Sequence, residues 1–368
     1  MTAPTSTPTA GTERGTAALP ADPRTSTTRI TIVVLTVVTV IAFVASVWWG
    51  TGSVKLTPSR VWTALFDADN APRIDAVAAE ARLVRAVMAV LVGMALASAG
   101  ALLQTLYQNP LASPEITGVT QGSILAVVMW LVLGPRETDS VWLLPLIGAL
   151  GGLASGLLTY GIARLGGKIE PLRLILIGVL LGGLLFSLLS VVLISADGFG
   201  LELISWTVGS LNSATWDRVR IMAVTMVVCL PLVVIATPFG NALSLGDDIA
   251  QGTGLAVARA RGVVLFAAAA VTAAAVSLVG GIGFVGLVAP HLVRRRTGAD
   301  LRRLVPAAAI AGALLVLLAD FAARNLRPRE FATLFGVTEY VAPQALPTGV
   351  YLALIGAPFF IHLLRRSS

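Results

Sequence analysis

Apolar stretches long enough to cross a lipid bilayer recur along this chain from Ile30 almost to its end, and this recurrence constrains the fold more than any other feature. A hydrocarbon core about 30 Å thick needs about 20 predominantly apolar residues in a helix. Such segments fall roughly at 30–49, 83–106, 117–134, 141–163, 172–194, 216–237, 263–282, 284–297, 304–323 and 347–364. The chain is 56% hydrophobic and only 12% charged, with mean hydropathy +0.87. A soluble domain carries about 25% charged residues, so lipid is the expected solvent. Only helices or a closed barrel satisfy the backbone there. The ten-residue alternating blocks of a barrel are absent from the sequence. The expectation is one all-α, polytopic membrane domain of about ten transmembrane helices over 29–366.

Residues 1–28, rich in Thr, Pro, Ala and Ser, cannot bury a core and read as a disordered tail. The apolar stretch after them is span-length and lacks a cleavage pattern, so it reads as a retained first span. The high pI, about 10.4, comes from short basic clusters between spans, where topology signals belong. Placing the N-terminus inside puts Arg164, Lys168, Arg173, Arg259, Arg261, Arg294, Arg295, Arg296, Arg302, Arg303, Arg365 and Arg366 in the cytoplasm. Both termini are then cytoplasmic, in a cell or inner membrane. Cys229 is the single cysteine, which excludes an internal disulfide, and His291 and His362 are far apart, so no metal site is expected.

Two places break the helical pattern inside apolar sequence. Asn109-Pro110 is followed by Pro114 and Gly118, and Gly280-Gly281-Ile282-Gly283 leads to Pro290. The second reads as two helices around a glycine turn. Helix-breaking residues at membrane depth fit a cavity wall, and paired interruptions in two halves of a chain fit a transport pathway. Pro110 would equally end a helix at the cytoplasmic surface. Gly166-Gly167-Lys168 approaches a phosphate-binding loop, but Ile169 stands where Ser or Thr is required. ATP hydrolysis by this chain is therefore not expected. A secondary transporter would need titratable groups within spans, yet Glu170, Asp197, Glu202 and Asp320 lie near span ends. His291 reads as a packing or turn residue. The sequence offers no nucleophile–base or paired-acid set for an intramembrane enzyme.

The run from Ala81 to Gly122, ARLVRAVMAVLVGMALASAGALLQTLYQNPLASPEITGVTQG, resembles the permeases of type II ABC importers for iron–siderophore, haem and vitamin B12, the FecCD type. It carries R-L-x-R, A-G-x-x-x-Q and N-P-L-A-x-P-x-x-x-G-V in order. The block GGIGFVGLVAPHLVRRRTGAD at 280–300 resembles a second family signature. Shorter likenesses lie at 173–182, 204–211, 318–324 and 346–364.

That resemblance implies roles. Asn109, Pro110 and Leu111, with Glu170 and Pro171, correspond to gate segments. The hydrophilic interruption at about 240–262 resembles the coupling helices that seat in an ATPase subunit, through Leu245, Gly246, Asp247, Asp248, Ile249, Ala250, Gln251, Gly252, Gly254 and Leu255. Read from its residues alone it is a solvated loop with a capped turn. Arg82, Arg85 and Arg324, on the outer side, correspond to arginines that meet glutamates of a substrate-binding protein; snorkelling to headgroups is the plainer reading. The connection 325–345 is longer than usual in the family, and reads as an interfacial segment touching either the binding protein or a neighbouring subunit. The implied assembly is two permeases, identical or paralogous, two ATPase subunits carrying ATP and Mg2+, and a binding protein. The implied cargo is a metal chelate, ferric siderophore first, with no cofactor held by this chain and no nucleic-acid partner.

Overall fold

A computed structural model of the chain describes residues 23–49, 54, 56–67, 70–135, 140–165, 169–195, 206–326 and 346–367. Among these the regular structure is helical: α1 (Pro23–Trp48), α2 (Pro58–Phe66), α3 (Arg73–Leu106), a 3-10 turn (Pro114–Thr117), α4 (Val119–Leu133), α5 (Leu143–Leu165), α6 (Pro171–Ser195), α7 (Trp216–Leu243), α8 (Asp247–Gly252), α9 (Val257–Val279), α10 (Val285–Thr297), α11 (Leu301–Asn325) and α12 (Thr348–Ser367). Residues 1–22 of the expected tail, the Gly166–Lys168 run, Asp197, Glu202 and positions 327–345 lie outside the described residues.

Seven of the helices are long and apolar enough to cross a membrane: α1, α3, α5, α6, α7, α9 and α11. Two are central, since α3 and α9 each bury 78% of their most apolar window, against 17% for α1 and 22% for α6. Apolar side chains gain little by exchanging lipid for protein, so close backbone approach must hold such a bundle together. α3 supplies that approach. Gly93 lies against Gly312 of α11, and Gly100 against Gly286 of α10, with no room for a Cβ at either contact. A seven-residue spacing drifts only about 20° around a helix, which keeps both glycines on one face. The alanines at 267–270 and 273–275 are buried and give α9 the same slim profile.

Several boundaries depart from the sequence reading. Helix α1 begins at Pro23, so the end of the segment read as a tail is helical. The polar stretch before the second span is partly ordered: α2 packs on an α3 that starts at Arg73, and Arg60 clamps the buried Asp75 at 2.7 Å. With 34 residues, α3 runs about 51 Å, well beyond the hydrocarbon thickness. The segment expected at 284–297 is no full crossing. Its helix has 13 residues, about 20 Å, and its last turn carries Arg294, Arg295 and Arg296. The break before it is where the glycine run placed it, in non-helical backbone at 280–284 that ends on Phe284 at φ 65°.

Candidate transport pathway and coupling surface

The interrupted backbone segments meet. Gly281 N–H donates to Trp206 O at 3.1 Å, Ser210 N–H to Val279 O at 2.8 Å, and Gly349 N–H to Gly209 O at 3.0 Å. These bonds join the segment before α7 to the end of α9 and the break after it, and to the first turn of α12. Gly280 and Gly209 hold φ of 76° and 81°, a region open to glycine without a Cβ penalty. Irregular backbone at this depth is tolerated because protein groups satisfy it.

The first interruption is built the same way. After α3 the Asn109 side chain accepts from Leu111 N–H at 2.9 Å, turning the chain at Pro110. Gln108, at φ 49°, donates from Nε2 to Leu243 O at 2.9 Å and ties this turn to the end of α7. Around the 3-10 turn, Thr159 Oγ1 donates to Thr117 O at 3.1 Å and Ser155 Oγ to Gly118 O at 2.8 Å. Gly178 of α6 sits against Ile116 O with no space for a side chain. The structure therefore connects the segment after Asn109–Pro110–Leu111 to α6, the helix that Pro171 starts and whose first turn Leu174 N–H closes on Glu170 O at 3.2 Å.

Glu115 was passed over in the sequence reading. Its carboxylate lies beside the Ser113 side chain and faces Gly283 and the backbone of Phe284, next to the start of α10. The only signal for it was an acid inside an apolar, proline-broken run.

At the bundle end carrying α8, the expected coupling residues form a compact, pinned element. Gly246, at φ 97°, starts α8; Ala250 is buried, and its carbonyl accepts from Leu255 N–H at 3.2 Å. Asp247 receives Arg261 Nη2 at 2.7 and 2.9 Å. Arg261 is almost fully buried, so the acid compensates a cation withdrawn from water as well as facing the helix dipole. Asp248 and Gln251 are exposed. Around Gly246, Gly252 and Gly254 there is open space. Leu245 and Ile249 project outward with 60% and 58% of their surface exposed. Two large apolar side chains, one just before this short helix and one on it, are held from behind by an ion pair and stay uncovered among the described residues, an apolar knob outside the apolar spans.

The three arginines at the opposite end are spent internally. Arg82 is buried and donates to Val54 O at 2.9 Å. Arg85 bonds Asp320 at 2.6 Å and Asn212 Oδ1 at 2.7 Å. Arg324 forms an ion pair with Asp320 at 3.0 Å and donates to Ser46 O at 3.1 Å and to the Ser46 hydroxyl. Asp320 is fully buried and also accepts from Thr348 Oγ1 at 3.3 Å. A single carboxylate thus gathers α3, α11 and α12, and Arg324 adds α1. In the sequence Asp320 stands out only as an acid near a span end. The legible hint was Asp320 and Arg324 four residues apart on one helix face.

Residues 35–366 match the model of the FecCD transport family. The chain belongs to that family. Its relatives include the Fe(3+)-citrate import system permease protein YfmE of Bacillus subtilis (strain 168), 34% identical over 316 residues, covering 86% of this chain and 89% of that protein. The Fe(3+) dicitrate transport system permease protein FecD of Escherichia coli (strain K12) is 38% identical over 287 residues, covering 78% and 84%. Among solved structures, one described as an inward-facing metal-chelate type ABC transporter superposes with TM-score 0.72 at 28% identity, over 92% of this chain and 99% of that one. This FecCD-family chain is therefore a multi-pass membrane protein of the permease type. Among its described residues, no group of three or more His, Cys, Asp or Glu is placed to hold a metal.

Proposed function

We propose that this chain is the membrane-spanning subunit of an ATP-driven importer that passes a metal chelate, of the ferric citrate or ferric siderophore class, from a binding protein into the cytoplasm. The observation that carries the reading is the α8 knob, with exposed Leu245 and Ile249 pinned by Asp247–Arg261. A chain that harvested energy by itself would have no use for it. Two separate ATPase subunits, holding ATP and Mg2+, seat on α8 and move α7 and α9, which flank it. The motion reaches the Asn109–Leu111 turn through Gln108 and the end of α7. It reaches Glu170–Pro171 through the 3-10 turn and α6. No cofactor is held by this chain.

The pore forms where a second permease, identical or paralogous, covers α6, whose Leu176, Leu180, Leu184 and Val191 face outward. Both chain termini are cytoplasmic in this arrangement, because the basic last turn of α10 and the α8 knob then face the ATPases. The binding protein docks at the α2 end. Arg82, Arg85 and Arg324 underlie that face, and steering there relies on whatever positive potential Asp320 leaves uncompensated. Growth under iron limitation on defined ferric chelates, in a strain lacking this subunit, tests the cargo. Restored growth on a ferric citrate or siderophore upon complementation supports the reading; restored uptake of haem or cobalamin alone would replace it.

A further inference from the structure

Helix α10 contains Pro290 at its centre. In an α-helix the amide N–H of this position would bond the carbonyl four residues earlier, which is Gly286 O, and proline has no such proton. Water cannot substitute. Gly286 is buried between Leu96 O and Pro114, against the backbone of Gly100. A buried carbonyl left without a donor is costly.

The missing donor comes from another helix. Gln104, 2% exposed in the last turn of α3, directs Nε2 at Gly286 O (3.3 Å) and at Leu287 O (3.1 Å). Its Oε1 accepts from Arg294 Nη2 at 3.1 Å. Carbonyls only accept and a guanidinium only donates, so one amide orientation serves both sides. The Gly100–Gly286 contact brings the two backbones close enough for this side chain to reach.

We propose that Gln104 is a positioning residue that stands in for the backbone N–H absent at Pro290, pinning the proline-weakened half-helix α10 to α3. What it positions is considerable. Ahead of the first turn of α10 lie the irregular 280–284 segment and Phe284, whose backbone sits beside the Glu115 carboxylate. Its middle places His291 against Phe359 of α12, with ring centroids 6.0 Å apart. A helix broken at Pro290 can pivot about that point, and Gln104 selects one tilt. For transport, the inference rests on the permease reading; for structure, it does not.

The test follows the backbone proton. On a Cys229→Ser background, spin labels at exposed Leu292 (α10) and Ile355 (α12) report the distance between the two helices in the full-length chain. Gln104→Leu is expected to raise the displaced population by about tenfold, the effect of one buried carbonyl losing its donor. Gln104→Glu should be at least as harmful, since a carboxylate paired with Arg294 has no proton to offer the carbonyls. Pro290→Ala, which restores the N–H inside α10, should return either variant most of the way to the wild-type distribution. A Gln104→Glu variant indistinguishable from wild type would show that Gln104 serves Arg294 alone and would overturn the proposal. So would a Gln104→Leu, Pro290→Ala double variant as displaced as Gln104→Leu. If Pro290→Ala alone fails to fold, the contrast between Gln104→Glu and Gln104→Leu still decides. The labels read distance without any transport, so a wrong cargo or partner leaves this result untouched.

Discussion

Replacing Asp247 with alanine removes the pin that holds the α8 knob against α9. Arg261 loses both of its oxygens, at 2.7 and 2.9 Å, and remains with 3% of its side chain exposed, whereas Asp247 itself is 39% exposed. Breaking a fully buried ion pair from one side costs about 3–5 kcal/mol, and an exposed pair contributes about 1 kcal/mol or less. This pair is buried on the arginine side only, which places the loss near 2 kcal/mol. At about 1.4 kcal/mol per factor of ten, the population with α8 detached rises about 30-fold. Hydrogen exchange of the full-length chain in nanodiscs reads this directly. The amides of Ala250, Thr253, Gly254 and Leu255, each bonded to backbone within 246–251, should exchange about 30-fold faster while those of α3 are unchanged. Adding Arg261→Met removes the stranded cation and should recover part of the protection. Unaltered exchange at these amides after Asp247→Ala would refute the pinning argument.

Asp320→Ala strands Arg85 and Arg324 together, so a loss of at least about 3 kcal/mol is expected, seen as a lower thermal midpoint in detergent and a sharply reduced folded yield. Gly312→Leu forces a side chain into the Gly93 backbone and should prevent α11 from closing on α3, at a cost above about 3 kcal/mol. In the same thermal assay Gly183→Ala, on open space in α6, should leave the midpoint within about 0.5 kcal/mol of wild type.

The long apolar helices were legible in the sequence because span length and hydropathy are properties of a single segment. The bounds of α10 were legible from the glycine run, but that it stops short of a crossing was not, because a short apolar run ending in Arg294–Arg296 becomes a half-helix only through what it rests on, Gly100 and Gln104 of α3. Helix α2 was hidden for the opposite reason: it buries only Val61 and Ala64, too narrow a stripe to stand out in a polar stretch. Charges near span ends look solvent-facing in a sequence. Arg82, Arg85 and Arg324 turned inward because Val54 O, Asp320 and Ser46, distant along the chain, were brought to them by folding. The coupling segment was legible in position and in its glycines and acids. That Asp247 has a buried arginine behind it, while Leu245 and Ile249 stay uncovered, needed the structure.

Whether force enters through α8 decides how this chain is driven. The most direct measurement is chelate uptake into proteoliposomes containing this chain with its ATPase subunits, binding protein and internal ATP, comparing wild type with a Leu245→Glu, Ile249→Glu double variant. Wild-type assemblies should accumulate ferric chelate only when ATP and the ATPases are present, and the double variant should insert normally yet accumulate none. Accumulation by the chain without its ATPases, or undiminished uptake by the double variant, would contradict the entry of force through α8.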